Sequence, residues 1–570
     1  MDLFIIHGIV EELKKEIVGG FVTKIYQMNR TDLLIRLRRL GEEKNLLLST
    51  HPDYYRIHLT EKKYANPQNP PRFCTYLRKH ITGARVADVT HDPYERVVRI
   101  GLQKRQDAGL SRDLVLIVEL LAKTGNVLLL DGEKILDCLH FRKSEKGMAR
   151  PALPGLIYSP LPRSERLLLS EVTPEKIEEI FILPTNEKWK ELLNQISGIS
   201  SHLAREIDFL SEGKANGFWA NFLHFRERYE KKSYEPRIIT LLTGKKIFAS
   251  FPLKSLGQVE EEIFETTNAA ADSYYYETIM RRQMEERKRS LTKRIRQLLG
   301  RLERRKENLI LDKEKCAGDL ALKAQGDLLV ANYSRLKKGM KQIEVLDYAQ
   351  DPPQAILISL DASLDPAGNL EKYFRRYKKA KRGIEMVAGR LEETQKEIDY
   401  LESVHFQVEE AEDAEEFEGI RQELEEERIL PVSQKQKAAK EKREPALPIR
   451  RFRSSDGLEI ICGKSNIGND YILRKMARGN DLWFHAQGYP GSHVLLKAGA
   501  GEPKFGAIAE AATVAAFFSR GRGSTRVPVD YTVAKNVNRP KGARPGFVTY
   551  LHQKTIYVNP DKVRIEKLKE

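Results

Sequence analysis

Cysteine is scarce and unpatterned. Four cysteines, Cys74, Cys138, Cys316 and Cys462, are scattered through 570 residues with no CxxC spacing. That argues against a zinc ribbon or a disulfide framework and fits a reducing cytoplasm. Long apolar runs are missing too. The most apolar stretches, residues 114–121 and 507–518, are interrupted by Glu119 and Glu510, and neither approaches the roughly 18 residues that span a bilayer. Met1-Asp2-Leu3-Phe4 offers no basic n-region and no cleavage site, so no secretory signal is expected. Nor is there an acidic balance: 97 Lys and Arg face 81 Asp and Glu, for a net charge of +16. Such an excess points to a polyanionic partner, nucleic acid ahead of a membrane surface.

Recognisable catalytic sets are also lacking. Gly463-Lys464-Ser465 imitates the end of a P-loop, but five residues separate Gly457 from Gly463 and they carry a strand pattern. The P-loop also opens a helix, whereas residues 466–469 read as a loop. Asp361, Ser363 and Asp365 imitate an EF-hand start, yet Pro366 stands where glycine is needed and Lys372 where a bidentate Glu is required. His485 and His493 have too few companions for a metal site and read as structural. No GxSxG elbow is present. The expectation is a binding protein, not an enzyme, with no metal and no cofactor.

What the chain does contain is α+β and multidomain. Residues 1–178 read as a mixed domain. Ile6, Val10, Leu13 and Ile17 share a helical face that stops at Gly19-Gly20. Strand-like runs follow at 21–28, 33–40 and 45–49, then a helix after Pro70-Pro71, then buried strands at 97–102, 114–121 and 126–131. Residues 151–162 read as a boundary loop. Residues 179–271 read as a helical module. Its turn Ser197-Gly198-Ile199 suits a helix-hairpin-helix unit or a plain helical turn.

Residues 272–430 change character. Leu291, Ile295, Leu298, Leu302 and Leu309, and again Ile384, Val387, Leu391, Ile398 and Leu401, fit heptad seams. Each is short for a long coiled coil, so an antiparallel pair is expected, with a tip insert at about 316–378. Within the tip, residues 356–360 read as a strand, and 364–369 contain Pro and Gly. Charge is segregated: residues 281–306 carry +9 and residues 409–428 carry −9. These are solvated faces or a basic contact for RNA or an acidic protein. Residues 431–449 read as a Lys-rich linker.

Residues 450–570 form a last α+β domain, with a helix at 507–518 and a hairpin over 547–558. It carries +11 of the +16. Its basic loops include Lys535, Arg539, Lys541 and Arg544, stiffened by Pro540 and Pro545, which lowers the entropy lost in ordering them on a phosphate backbone. Arg520, Arg522 and Arg526 add to them. Near the other end Arg72, Arg78, Lys79 and Arg85 cluster around a helix, and Tyr94-Glu95-Arg96 precedes a strand. A carboxylate beside a guanidinium could hold a base edge and a phosphate together, or be a surface ion pair.

Two sets of motifs carry a resemblance. One is Asp456-Gly457-Leu458-Glu459, Asn469-Asp470-Tyr471, Asp481-Leu482-Trp483-Phe484-His485, Pro490-Gly491-Ser492-His493-Val494 and Val527-Pro528-Val529-Asp530-Tyr531. The other is Lys24-Ile25-Tyr26-Gln27, His51-Pro52, Arg56-Ile57-His58-Leu59-Thr60, Pro70-Pro71-Arg72-Phe73-Cys74 and Pro154-Gly155. Together they resemble the NFACT family over nearly the whole chain, in the same domain order, and in particular its bacterial ribosome-associated quality-control members. The resemblance implies binding to a large (50S) ribosomal subunit that still carries peptidyl-tRNA, at rRNA and stalk-base proteins. It implies recruitment of alanyl-tRNA and support of mRNA-independent alanine tailing, by a cytoplasmic monomer without membrane contact. Peptidyl transfer would belong to the ribosome. Older descriptions of the family imply a second reading, a surface fibronectin-binding adhesin.

The resemblance also places tRNA-binding residues at Glu95, Arg96, Glu119, Leu120 and Leu121. RNA contacts are expected at Arg78, Lys79, Lys535, Arg539, Lys541 and Arg544. The family pattern has Asp-Arg where this chain has Glu95-Arg96, and Glu-Ile-Met-Gly where it has Glu119-Leu120-Leu121-Ala122. The N-terminal domain further resembles the formamidopyrimidine DNA glycosylase N-domain, whose nucleophile is an N-terminal proline; here Asp2 follows Met1.

Overall fold

The computed structural model describes the chain except residues 65, 68, 94, 106–110, 144–149, 163–164, 184–186, 349–351, 432–447, 499–500 and 570. It divides into two units, Met1–Arg281 and Arg282–Glu570. Both mix helices with antiparallel sheets.

In the first unit, helix α1 (Leu3–Ile17) starts where the Asp2 carboxylate accepts from the Ile5 amide at 2.9 Å. Its apolar stripe is buried, and Gly19, at φ +85°, turns the chain back into the sheet. Nine strands follow: β1 (Phe21–Gln27), β2 (Asp32–Arg39), β3 (Glu42–Ser49), β4 (Arg56–Leu59), β5 (Arg85–His91), β6 (Val97–Arg105), β7 (Ser111–Glu119), β8 (Asn126–Asp131) and β9 (Lys134–Cys138). They form one antiparallel sheet in the order β4-β3-β2-β1-β5-β6-β7-β8-β9. Helix α1 and helix α2 (Arg72–Ile81) contribute to its main core. Residues 151–162 are more than a boundary loop. Ala152 pairs with Arg142 and Ile157 with Lys134, while Tyr158 and Leu161 pack on a second apolar cluster built on Ile117, Leu128 and Leu130.

The stretch read as helical, residues 179–271, is only partly so. The turn at Ser197 packs tightly: its amide donates to the Leu167 carbonyl at 2.8 Å, and a Cβ on Gly198 would meet Leu3 at 2.8 Å. Beyond the helices lies a three-stranded sheet of Arg237–Thr240, Lys246–Ala249 and Glu260–Ile263. Four-residue strands are too short to show a period of two. The first arm helix also begins earlier than the heptads suggest, at Thr267. Its first amides, Thr267 and Asn268, donate to the Glu12 carboxylate at 2.6 and 2.9 Å. An acid from α1 thus satisfies the first two amides, while Thr266 Oγ1 caps the third, accepting from the Ala269 amide at 3.1 Å.

In the second unit, the expected antiparallel pairing holds. Helix Thr267–Leu320 runs against helix Pro366–Glu410, with Arg296 beside Glu409, Lys306 donating to Gln395 and Asp319 accepting from Arg376. Leu291, Ile295, Leu401 and Val404 are buried in this seam. At the tip, Gln342–Asp347 pairs with Gln354–Ser359. The returning helix opens within residues 364–369, where the Asp365 carboxylate accepts from the Gly368 amide at 2.8 Å. Lys372 pairs with Asp361 at 2.7 Å, a cation on the carboxylate that an EF-hand would give to calcium.

The last domain is a six-stranded sheet, Ile449–Arg453, Glu459–Gly463, Val494–Leu496, Leu482–Ala486, Val527–Val533 and Lys554–Val558, with helix Phe505–Phe517 packed in its core. Most of the expected linker lies outside the described residues, and its last position, Ile449, already belongs to a strand. The expected hairpin over 547–558 is not one. Thr549–Tyr550 pairs with Val537–Asn538, and Lys554–Val558 pairs with Val527–Tyr531, in different sheets. Residues 466–471 form a short helix rather than a loop, capped by Ser465.

The acidic run 409–428 is partly solvated and partly packed: Glu412, Asp413, Glu415 and Glu426 are exposed, Glu409 lies 3.5 Å from Arg296 of the basic run, and Glu423 and Glu425 are buried. Helix Ala414–Glu426 buries Phe417, Ile420 and Leu424 against Tyr400, Leu401 and Val404. Glu423 is buried with them, accepting from Tyr400 Oη at 2.9 Å and Asn466 Nδ2 at 3.0 Å. Burial pushes its carboxyl up to about 7. Between about pH 4.5 and 7 the folded chain holds a proton that the unfolded chain has lost, so stability falls as pH rises through that window. Urea unfolding of the second unit's transition should show a loss of about 2–3 kcal/mol from pH 4.5 to pH 7.5. Glu423→Gln, which mimics the protonated form, should flatten the dependence; an unchanged slope would remove Glu423 as its source.

Candidate nucleic-acid interface

Register places the sequence candidates. Val97 of β6 pairs with Glu119 of β7, and the Leu120 amide donates to the Arg96 carbonyl at 2.8 Å. Two motifs more than twenty residues apart therefore meet at one end of the sheet. The Glu95 amide donates to Asp92 Oδ1 at 3.2 Å, and the Val97 amide to the Glu95 carbonyl at 2.8 Å, so the approach to β6 is a hydrogen-bonded turn. Tyr94 lies outside the described residues.

Arg96 is half-buried. Its Nη1 donates to Tyr55 Oη at 3.0 Å, and its guanidinium sits 5.9 Å from the Tyr55 ring centroid. Glu95 is half-buried too. Burial, and then Asp92, push its carboxyl above the usual range, against the pull of Arg96, Arg166 and Arg150. This is not a simple surface ion pair. The guanidinium leans on a tyrosine and the carboxylate sits among arginines.

Glu119 and Leu120 are fully buried. The Glu119 carboxylate accepts from Arg142 Nη2 at 3.0 Å, from Arg150 Nη2 and from Tyr158 Oη at 3.1 Å. Arg99 and Arg150 lie 5.8 and 5.7 Å from the Tyr158 ring centroid. Both side chains are thus closed to solvent in this conformation, and Glu119 gathers two guanidiniums. Leu121 is half-exposed at the turn, and Gly125 closes that turn where a Cβ would meet the Leu121 carbonyl at 2.7 Å. Sequence reasoning missed Tyr55, Arg99, Arg142 and Arg150. Tyr158 had a signal, since it follows the Pro154-Gly155 motif.

The remaining candidates divide. Arg78 is tied down, its Nε donating to the Ile25 carbonyl at 2.8 Å, while Lys79 is exposed beside it. In the C-terminal domain Lys535 and Lys541 are exposed. Arg539 pairs with Asp470 at 2.6 Å, and Arg544 lies 4.9 Å from the Tyr400 ring centroid. Much of the domain's positive charge is matched within its own unit. Arg450 and Lys464 lie 3.2 and 2.6 Å from Glu416, Arg520 3.5 Å from Glu402, and Arg522 3.0 Å from Glu410. Among the described residues no cluster of three or more His, Cys, Asp or Glu is placed to hold a metal, and no helix is long and apolar enough to cross a membrane.

An arginine-lined sheet end in one unit and exposed lysine loops in the other are the surfaces of a protein that binds polyanions. The chain matches the NFACT N-terminal and middle domains over residues 2–443 and the NFACT protein RNA binding domain over residues 449–549. It belongs to the NFACT family, and it is an RNA-binding protein. The Rqc2 homolog RqcH of Bacillus subtilis (strain 168) is 32% identical over 570 residues, covering 99% of this chain and 98% of that protein. Human ribosome quality control complex subunit NEMF is 28% identical over 238 residues, 41% of this chain and 20% of that protein. The solved N-terminal part of the fibronectin/fibrinogen-binding protein from Streptococcus suis covers 49% of this chain and 99% of its own, at 25% identity and a TM-score of 0.43.

Removing the Glu119 carboxylate would leave Arg142 and Arg150 facing each other without their shared partner. Breaking one side of a buried pair costs about 3–5 kcal/mol. Glu119→Ala should lower the stability of the first unit by that order in urea unfolding. A loss under about 1 kcal/mol would mean that the carboxylate organises nothing.

Proposed function

We propose that this chain acts in ribosome quality control. It binds a large ribosomal subunit that still carries peptidyl-tRNA, brings in alanyl-tRNA, and supports mRNA-independent addition of C-terminal alanines that mark the nascent chain for degradation. The observation that carries the reading is the meeting of Glu95-Arg96 with residues 119–121 at one arginine-lined sheet end, in a chain alike over its full length to Rqc2 homolog RqcH. Peptidyl transfer is left to the ribosome, so this chain's task is positioning.

The labour divides by domain. Residues 1–178, an NFACT N-terminal domain, hold tRNA. Arg96 bonds phosphate or a base edge, Glu95 orients it or accepts from a base amino group, and Arg142 and Arg150 supply field from behind. Residues 179–271 support that domain. The arm, residues 272–430, reaches stalk-base proteins, and residues 431–449 link it to the RNA-binding domain, residues 450–570. There Lys535 and Lys541 contact rRNA, with Arg539 and Arg544 shaping their loop. The protein works as a cytoplasmic monomer.

Two measurements test this. Losing one charge-assisted contact costs about 1.5–3 kcal/mol, roughly ten- to a hundredfold in affinity. Arg96→Ala and Glu95→Ala should lower co-purified tRNA and tail synthesis by that order while large-subunit co-sedimentation stays nearly intact. Equal loss of both would make the pair purely structural. Separately, large-subunit affinity should fall at least about tenfold between 50 and 200 mM salt, because each neutralised phosphate releases counterions. Salt-independent binding, or recovery of the protein at the cell surface without RNA, would sink the proposal.

A further inference from the structure

Many cations of the last domain meet an acid of their own unit, but one run does not. Residues 471–480 hold Arg474, Lys475 and Arg478 and no acid. All three side chains are exposed, and none has a hydrogen bond or ion pair among the described residues. The same is true of Lys535. Register brings these four together. Leu482 pairs with Val533, so Asp481 and Ala534 stand opposite one another at one end of the sheet, and the Ala534 amide donates to the Asp481 carbonyl at 2.8 Å. Lys535 follows directly. Arg478 lies on the turn that enters the strand of Leu482: the Asp481 amide donates to the Arg478 carbonyl at 3.0 Å, and the Arg478 amide to Asp481 Oδ2 at 2.7 Å.

Arg474 and Lys475 precede that turn on a short π-helical stretch, Ile472–Met476, closed by the Ala477 amide on the Ile472 carbonyl at 2.8 Å. Such stretches are rare and often mark functional sites. Ile472, Met476 and Ala477 pack in one apolar cluster with Ala534, which sets the stretch against the Lys535 segment. A buried carboxylate locks the scaffold. Asp481 also accepts from Lys497 Nζ at 2.7 Å and from the Ala498 amide at 2.9 Å, and Lys497 Nζ donates in turn to the Met476 carbonyl at 2.6 Å. The charge of Asp481 is therefore matched by Lys497, not by the surface cations, and the backbone that carries those cations is fixed before any partner arrives.

The composition of this surface selects its partner. Unmatched cations held close together repel one another, and an anion laid across them relieves that repulsion. Two of the four are arginines, whose planar fork fits phosphate. The run's one aromatic ring, Tyr471, and its Met476 pack on the apolar cluster instead of standing out to stack on a base. Phosphate contacts without stacking read backbone and shape, which is how RNA helices are recognised. We propose that Arg474, Lys475, Arg478 and Lys535 form a surface that grips the phosphate backbone of an RNA helix. The inference rests on the rRNA reading above, in which Lys535 is one contact, and adds three residues and a form of partner: a duplex region, not a single strand.

The test uses the full chain, a labelled RNA duplex of two helical turns, and two double variants that lose the same charge. Arg474→Ala with Arg478→Ala removes it from the surface. Lys504→Ala with Lys562→Ala removes it elsewhere in the domain, where each lysine already faces an acid, Asp456 at 3.4 Å and Glu566 at 3.7 Å. The first should weaken duplex binding at least about tenfold and lower the slope of log affinity against log salt by about 2, while the second stays within about twofold of the unaltered chain. The substituted side chains are exposed, so both variants should keep the melting temperature. Independently of any substitution, bound duplex should protect Lys475 and Lys535 of the unaltered chain from an amine-acetylating reagent and leave Lys504 and Lys562 reactive. Equal losses in the two variants, no protection of Lys475, equal competition by the single strand of the same sequence, or stronger protection by polyglutamate than by duplex each overturns the inference. The large-subunit reading stands through all of these as long as the unaltered chain co-sediments with large subunits. Failure to bind duplex together with loss of that co-sedimentation overturns both.

Discussion

One backbone register governs the candidate site of the first unit. Because Val97 pairs with Glu119, the chain entering β6 and the chain leaving β7 lie side by side, and the Arg96 carbonyl is bonded by the Leu120 amide. A slip of one residue would send the side chains of a strand to opposite faces. Glu119 would then leave its buried position between Arg142 and Arg150, and the arginines would lose what collects them. The register is secured by apolar burial on both sides of the strand pair: Val98, Leu116 and Val118 in one core cluster, Val97 and Ile117 in the other.

Burial of charge is the second theme. Glu119 and Glu423 are both buried acids, yet they are handled differently. Glu119 has two guanidiniums and a phenol, so it is compensated as an anion. Glu423 has hydroxyl, amide and backbone donors but no cation, and burial raises its carboxyl toward neutrality. The first arrangement organises positive charge at a candidate binding surface. The second joins three helical pieces, through Tyr400, Glu423 and Asn466, without fixing a charge.

The arm's acids resolve what the charge run meant. Glu402, Glu410 and Glu416 lie against Arg520, Arg522, Arg450 and Lys464. The formal +11 of the last domain therefore overstates what is open to a phosphate backbone. Lys535 and Lys541 stay exposed, which concentrates the available charge on loops. Arg539 and Arg544, similar on paper, serve to hold one of those loops.

Local pattern settled a good deal of the structure. The stripe of Ile6, Val10, Leu13 and Ile17, the β-branched runs of the large sheet, the heptad seams, and the helix at 507–518 were all legible, because each is long enough to show its period. Short pieces were not: four-residue strands at 237–240 and 246–249 show no period, and the helix at 466–471 is a single turn and a half. Motifs alone supported the family and pointed to Glu95, Arg96 and 119–121 as one functional group. Only the tertiary structure decided which of those side chains can touch anything. Burial of Glu119 and Leu120, the pairing of Arg539 with Asp470, the capping of Thr267 by Glu12 and the unsatisfied atoms of Trp483 and His493 all depend on groups far apart in the chain. A sequence states which charges and hydrogen-bonding groups exist; whether each meets a partner, water or nothing is fixed by packing.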